Sequence, residues 1–229
     1  MNVLMANLKA VALLGALTLV GNAYAGPEVL EALDDKQVLD KSTNLVWVSD
    51  WNLAHSLGYD GNGLMTWYEA DAWIKRLNVI NYAGHNSWRL PTTNFSASSN
   101  CSSSVPGSND MYFGSGCTGS EMGHLYYEAL GGQAPEYIRE KANMAGFKNV
   151  MGYYYWSGTN PVGLDNMAGH FSMNNGDQRW DGKNNYLYAM AVRPGDVPAV
   201  PESQTYAMLL VGLAAVGLIA RRRRGHLAR

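Results

Sequence analysis

The chain has few of the residues that build disulfide scaffolds or metal clusters, since only two of its 229 residues are cysteine. Cys101 and Cys117 lie in a segment rich in Ser, Gly and Asn, with no second cysteine pair and no matched histidine pair. This pattern fits no zinc spacing. Because two such cysteines are expected to pair in an oxidising compartment, we predict a Cys101–Cys117 disulfide rather than a metal or catalytic role.

Basic residues are scarce outside the two ends of the chain. Of the 17 Lys and Arg, six lie in the terminal segments, whereas all 19 Asp and Glu lie between Glu28 and Glu202. The part between the ends therefore has eleven basic and 19 acidic residues, a net charge of −8. A domain this acidic is not expected to bind nucleic acid or anionic lipid.

Recognisable catalytic and metal-binding patterns are also missing. The histidines of the central part, His55, His85, His124 and His170, do not have metal-ligand spacing. No Ser, His and Asp set is arranged as a recognisable catalytic triad. We therefore predict neither a catalytic residue nor a resident metal or cofactor.

Two short segments leave calcium open as an alternative. Residues 60–63 (Asp-Gly-Asn-Gly) resemble the start of a calcium loop, but Leu64 and Met65 stand where such a loop prefers Asp or Asn and requires Gly. We favour a turn before a helix. Residues 174–177 (Asn-Asn-Gly-Asp) offer oxygen atoms for calcium or sugar, although hairpin turns use the same residues.

What the chain does have is a signal peptide over residues 1–25. One cation, Lys9, precedes an apolar stretch over residues 10–20, and Ala23 and Ala25 form a small-x-small pattern before Gly26. These three parts are typical of a secretory signal that signal peptidase removes. We expect the mature protein to begin near Gly26.

The other end has three parts in order. Residues 195–204 form a Pro-containing linker with the motif Val200, Pro201, Glu202 and Ser203; residues 205–220 are an apolar segment; and residues 221–229 begin with Arg221, Arg222, Arg223 and Arg224. The apolar run from Tyr206 to Ala220 would span about 22 Å as a helix, less than the roughly 30 Å hydrocarbon core. The arginines are expected to stay cytoplasmic and the domain outside.

This tail resembles a PEP-CTERM sorting signal, which is recognised by an exosortase, a membrane-embedded protease. Pro201, Glu202 and Ser203 stand where the family usually has Pro-Glu-Pro, so the third position departs from the pattern. The resemblance implies an inner-membrane anchor before processing, and then a place at the cell surface or in the extracellular matrix. A plain C-terminal membrane anchor is the alternative.

Between these signals, the pattern predicts a mixed domain. Residues 36–40 and 44–48 read as two strands. Thr66 and Glu69 form a capping box for a helix that ends at residues 81–84. Residues 94–119 read as a long polar loop, and residues 120–130 as a second, shorter helix.

The last third reads as strands. Residues 153–158 form one, residues 168–173 another, and a turn at residues 174–177 leads into residues 178–181. Alternation over residues 186–192 predicts a further strand with Tyr186, Tyr188, Met190 and Val192 on one face.

Several motifs in order carry a family resemblance. They comprise residues 44–47, 65–70, 87–92, 155–159 and 191–193, with the signature residues Trp47, Trp67, Trp88, Arg89, Leu90, Pro91, Thr92, Trp156 and Arg193. Together they resemble the Lcl C-terminal-like domain, over nearly all of residues 26–194. That resemblance implies a single α+β, C-type-lectin-like domain, with two helices packed on short antiparallel strands, in a secreted or surface protein of bacteria.

The resemblance also implies a function. We expect a non-catalytic binding or adhesion module for extracellular polysaccharide; the namesake domain's association with sulfated polysaccharides is not carried over, because basic residues are few here. Alternatives are a purely structural matrix protein, or an enzyme on a formylglycine-generating-like fold acting on matrix components. Such enzymes share the motif of residues 88–92, but their acidic and aromatic continuation is missing after Thr92. We therefore read Trp88 and Arg89 as structural.

Overall fold

A computed structural model describes residues 29–105 and 111–196 of the chain. It shows a mixture of helices and small antiparallel sheets, which confirms the predicted mixed fold. The predicted signal peptide (residues 1–25) and the predicted sorting motif, apolar segment and basic tail (residues 200–229) lie outside the described residues. Within residues 29–105 and 111–196, no helix has the length and apolar character to cross a membrane.

The first sheet joins the start and the end of the domain. Its strands are β1 (Leu30–Ala32), β2 (Gln37–Asp40), β3 (Leu45–Val48) and β9 (Val192–Pro194), all paired antiparallel in that order. Both strands predicted in this region are confirmed. Asp40 pairs with Leu45 across the tight β2–β3 turn.

Two helices precede the central segment of the chain. The short α1 spans Leu53–Ser56, and the longer α2 spans Trp67–Val79. The Thr66 side chain accepts a bond from the Glu69 N–H while Glu69 bonds the Thr66 N–H, so the predicted capping box is present. α2 buries the predicted face, which consists of Ala70, Trp73, Ile74 and Leu77.

The segment predicted as a long polar loop is more ordered than the sequence indicates. It contains a 3₁₀ turn (Ala97–Ser99) and the hairpin strands β4 (Ser103–Val105) and β5 (Met111–Phe113). Phe95, Met111 and Cys117 are buried. The segment is therefore a loop with a short hairpin and a 3₁₀ turn inside it, because its few apolar residues are buried and the Cys101–Cys117 disulfide joins two positions within it.

The second predicted helix is confirmed, but most of it is a π-helix rather than an α-helix. α3 (Glu121–Gly123) continues into a π-helix over His124–Ala129, and the Ser120 side chain accepts a bond from the Gly123 N–H. A further helix, α4 (Arg139–Met144), was not predicted. The domain therefore has four α-helical segments in its described residues rather than two.

The third sheet contains the strands predicted in the last third. β6 (Tyr154–Trp156), β7 (Met167–Ser172) and β8 (Gln178–Gly182) lie in that order and pair antiparallel. The predicted β7–β8 hairpin is confirmed, with Phe171 paired to Gln178.

The strand predicted over residues 186–192 is wrong. Only the end of this segment belongs to a strand, β9, while Leu187 and Tyr188 form single bridges to Met65 and Tyr155. The alternation fails because Tyr186 is exposed and every residue from 187 to 193 is buried. The segment crosses the core between the two larger sheets, so both of its faces are covered.

The core is unusually rich in aromatic side chains. Its largest fully buried members are Trp47, Trp51, Trp73, Trp156, Tyr126, Tyr155 and Phe171. Full burial of an aromatic side chain contributes about 2 kcal/mol or more to folding. Two of these residues, Tyr155 and Trp156, belong to β6, so the core holds in place the strand that follows the exposed Tyr153.

Candidate functional site

One concave feature lined by two tyrosines is a cleft of about 230 Å³. We call it the tyrosine cleft; it is lined by Leu64, Met151, Gly152, Tyr153 and Tyr188. Tyr153 is 45% exposed, whereas Tyr188 is 9% exposed and forms part of the wall.

Backbone pairing holds the walls of the tyrosine cleft in place. The Tyr188 N–H donates to the Tyr154 carbonyl at 3.0 Å, and the Trp156 N–H donates to the Tyr188 carbonyl at 2.8 Å. On the opposite wall, Met65 and Leu187 exchange two backbone bonds of 2.8 and 3.0 Å. These backbone hydrogen bonds fix the positions of the lining residues: Tyr188 makes two of them itself, and Leu64 directly precedes Met65.

A glycine shapes the floor of this cleft. A side chain at Gly152 would place its Cβ 3.0 Å from the ring of Tyr137, closer than ordinary packing allows. Tyr137 cannot move away freely, because its hydroxyl donates to the Val150 carbonyl at 2.7 Å and accepts from Arg139 Nε at 2.7 Å. Gly152 therefore lets the chain lie directly against this ring.

The two tyrosine hydroxyls of the cleft have no hydrogen-bond partner among the described residues. Burial, with the neighbouring phenols of Tyr153 and Tyr137, raises the pKa of Tyr188. The hydroxyls of Tyr153 and Tyr188 form no hydrogen bond with another residue in ranges 29–105 and 111–196, and neither is a buried unpaired atom. Each can both donate to and accept from a ligand.

A row of rings extends from the cleft along β6. The Tyr153 ring lies 6.2 Å from Tyr188 and 5.2 Å from Tyr154, and Tyr154 lies 4.7 Å from His170, all edge-on. Burial lowers the pKa of His170 to about 4, so its imidazole is neutral at pH 7. Its Nδ1 atom is buried without a partner among the described residues.

A second concave feature lies beside α2. This groove, of about 350 Å³, combines apolar side chains with one cation and is lined by Leu57, Gly58, Tyr59, Trp73, Arg76, Leu77 and Ile80. Its exposed aromatic side chain is Tyr59. Each concave feature therefore has one exposed ring, Tyr59 in the groove and Tyr153 in the tyrosine cleft, but only the groove has a cation in its lining.

The structure places the tryptophans of the predicted signature in structural roles. Trp47, Trp88 and Trp156 are buried, and the indole N–H of Trp156 donates to the Met65 carbonyl at 2.7 Å. Trp67 is half-buried and donates to the Ser157 carbonyl at 2.9 Å. Lys183 lies over the Trp67 ring, 4.6 Å from its centre.

The Trp88–Thr92 motif connects the core to α3. Leu90 and Pro91 are buried, whereas Arg89 is half-exposed and pairs with Glu121. Glu121 Oε2 also accepts the Thr92 N–H at 2.8 Å. These contacts fit the structural reading of Trp88 and Arg89.

Arg193, the last residue of the signature, is almost completely buried at 1% exposure. It donates to Gln37 Oε1 at 2.9 Å and to the Pro194 carbonyl at 2.8 Å. It also lies 3.0 Å from the exposed carboxylate of Asp196. Arg193 thus fastens the last described strand to β2.

One cluster contains the residue types of a catalytic triad, in the wrong geometry. His124 Nε2 lies 2.9 Å from Ser42 Oγ and 3.2 Å from the buried carboxylate of Asp40. In a triad the acid and the nucleophile contact opposite ring nitrogens, so that a proton can pass between them. Here both contact the same nitrogen, and the cluster instead ties the β2–β3 turn to the π-helix.

The two calcium candidates use their oxygen atoms internally. Asp60 Oδ1 accepts the N–H groups of Asn62 and Gly63 at 2.9 and 2.7 Å, the geometry of the predicted turn. Asp177 pairs with Arg179 at 2.6 Å in the β7–β8 hairpin. Within residues 29–105 and 111–196, no three His, Cys, Asp or Glu residues come together to hold a metal ion.

The sequence did not identify the tyrosine cleft as a site. Tyr153 and Tyr188 were both placed on strands, without a site to join them. The cleft exists because residues 151–153 lead directly into β6, and Tyr188, from a distant part of the chain, bonds to the backbone of β6. The only local signal was the run of tyrosines in each segment.

Comparison with known proteins gives one match. A family model for the Lcl C-terminal domain matches residues 36–193. Neither the curated proteins nor the solved structures gave a match. The family match covers more than half of the 229 residues and agrees with the motifs of the signature. The chain therefore belongs to the Lcl C-terminal domain family.

Proposed function

We propose that this protein is an exported bacterial surface or matrix protein whose non-catalytic, C-type-lectin-like domain binds extracellular polysaccharide through the tyrosine cleft. The observation that carries this proposal is the pair Tyr153 and Tyr188, which line one cleft and whose hydroxyls have no hydrogen-bond partner among the described residues. Family membership supports the same assignment, because the resemblance implies secreted and surface proteins.

The chemistry of the cleft suits a sugar ring. A sugar presents C–H groups on its faces and hydroxyls at its edges, and a tyrosine presents an apolar ring with a polar tip. Tyr153 supplies an exposed ring, and Leu64 and Met151 extend the apolar surface. The hydroxyls of Tyr153 and Tyr188 then complete hydrogen bonds at the sugar edge.

The size of the cleft favours a segment of a chain over an enclosed small molecule. Its volume of about 230 Å³ is below the roughly 300–1,000 Å³ of pockets that enclose a ligand. Tyr154 is half-buried and extends the ring row next to the cleft, whereas His170 at the end of the row is buried. A small, open cleft of this kind suits a segment of a polymer that passes across it.

A glycan array and a matrix pull-down test the ligand half of the proposal. The full chain in detergent micelles is expected to retain matrix polysaccharide, and Tyr153→Ala is expected to lower that retention at least tenfold. Tyr68→Ala is the matched control, because Tyr68 is 52% exposed and does not line the cleft. Absence of glycan binding at every calcium level would contradict the proposal.

The sorting half has its own test. We propose that signal peptidase removes residues 1–25 and that an exosortase acts on Pro201, Glu202 and Ser203, with Arg221–Arg224 as the stop signal. The intact mass of the protein is measured in hosts with and without the exosortase. Loss of both ends only in the complete host supports sorting; a retained C-terminus in the inner membrane would show a plain anchor.

A further inference from the structure

The lining of the tyrosine cleft carries no formal charge. Leu64, Met151 and Gly152 are apolar, and Tyr153 and Tyr188 contribute neutral phenols. A sulfate or carboxylate that entered this cleft would lose water without gaining a cation, which costs free energy. A sugar hydroxyl would exchange its water bonds for bonds with a phenol of similar strength.

The cation next to the floor of the cleft is already engaged. Arg139 donates from Nε to the Tyr137 hydroxyl at 2.7 Å, and its guanidinium carbon lies 4.8 Å above the Tyr137 ring. Binding an anion would require Arg139 to give up both contacts.

The remaining cations of the domain lie outside the lining of the cleft. Six of them, Lys41, Lys75, Arg89, Lys141, Arg179 and Arg193, form ion pairs with carboxylates. Lys148 and Lys183 donate to the carbonyls of Asp35 and Asp165, and Lys36 and Arg76 complete the set. A polyanion gains its affinity from clustered cations that displace its counterions, and the lining of this cleft contains no cation.

Calcium cannot supply the missing charge at the cleft. A calcium ion takes six to eight oxygen ligands, usually including carboxylates, and the lining residues contribute no carboxylate. A sugar in this cleft therefore binds to the protein directly.

We propose that the tyrosine cleft selects uncharged segments of polysaccharide and binds them without calcium, excluding sulfated and uronic acid chains. The inference rests on the proposed function and specifies its ligand class. It differs from the namesake domain's association with sulfated polysaccharides, and its basis is the uncharged lining of the cleft together with the engaged Arg139 beside it.

The test uses matched pairs of probes that differ only in charge. The full chain in detergent micelles is titrated with dextran and dextran sulfate, with cellohexaose and its sulfated form, and with the host's matrix polysaccharide. The matrix material is divided on an anion-exchange column into a flow-through fraction and a retained fraction. Each titration is run at 50 and 500 mM NaCl, with 1 mM CaCl₂ or with EGTA; these are conditions at which surface charge effects are respectively strong and screened.

The expected result is binding to uncharged probes that changes less than about twofold between the two salt concentrations and is unaffected by EGTA. Tyr153→Ala should weaken it at least tenfold. Tyr153→Phe, which keeps the ring, should lose less, and Tyr68→Ala should leave it unchanged. Thermal unfolding of each variant checks that the domain is folded.

The outcomes separate this inference from the function on which it rests. Preference for the sulfated or retained probes, with affinity that falls steeply with salt, would overturn the inference while polysaccharide binding itself stands. Loss of binding in EGTA would overturn it as well. Absence of binding to every probe would overturn the inference and the proposed function together.

Discussion

Arg89 and Glu121 form a two-point ion pair that joins the segment before residues 94–119 to the first turn of α3. Nη1 lies 2.7 Å from Oε2, and Nη2 lies 2.6 Å from Oε1. Burial alone would raise the pKa of Glu121, but the bonds from Arg89 and the Thr92 N–H outweigh it and lower that pKa. The ionised carboxylate is therefore the stabilising form.

This pair predicts sensitivity to acid and to mutation. Because the folded-state pKa of Glu121 is lowered, its contribution is present above the unfolded value of 4.5 and is lost as the pH falls through the folded value. Glu121→Ala should lower the free energy of unfolding by about 1–3 kcal/mol at pH 7. Urea denaturation at pH 7 and pH 3 checks this, and an equal loss at both pH values would contradict it.

Substitution of the buried Arg193 is expected to lower the free energy of unfolding more than substitution of an exposed cation. Arg193→Met removes the donors to Gln37 Oε1 and the Pro194 carbonyl, so the free energy of unfolding should fall by about 2–4 kcal/mol. The control is Lys75→Ala: its pair with Asp71 is solvent-exposed and should contribute no more than about 0.5 kcal/mol. Equal effects of the two variants, measured by urea denaturation, would show that Arg193 is not an anchor.

The His124 contacts predict a loss of stability on the alkaline side. The bond to Asp40 outweighs burial and raises the pKa of His124 above 6.5. Its contribution is therefore fully present below pH 6.5 and is lost as the pH rises through the raised value. The unfolding free energy of the wild type should fall over this range more than that of His124→Gln. Parallel pH profiles of the two proteins would exclude this role.

The Cys101–Cys117 disulfide should stabilise the domain without contributing to binding. It closes a loop of 16 residues, for which the chain-entropy account gives about 3 kcal/mol. The double variant Cys101→Ser/Cys117→Ser is expected to unfold at lower urea concentration and to keep its polysaccharide affinity. Alkylation of both thiols in exported wild-type protein would contradict the pairing.

Local rules account for the parts of the fold that the sequence predicts well. Thr66 and Glu69 specify the start of α2 through bonds within a single turn, and their helix is present as expected. The β7–β8 hairpin likewise depends on a short turn and on neighbouring strands. Such elements need no information from distant residues.

Contacts between distant residues decide the parts that the sequence predicts poorly. Residues 187–192 alternate like an edge strand, yet they take backbone bonds from Met65, Trp156 and Arg89 in turn and are covered on both sides. The tyrosine cleft depends on the same crossing, since Tyr188 reaches Tyr153 only through it. The hydrophobic periodicity of one segment does not indicate which distant residues that segment contacts in the fold.

The most direct measurement of the central claim is a nitration footprint of the tyrosines, read by mass spectrometry with and without the uncharged matrix polysaccharide. Bound polysaccharide is expected to protect Tyr153, which is 45% exposed, and to leave the nitration of Tyr68 unchanged. Protection of Tyr59 in the α2 groove, with Tyr153 still modified at its free rate, would contradict the assignment of the tyrosine cleft as the binding site.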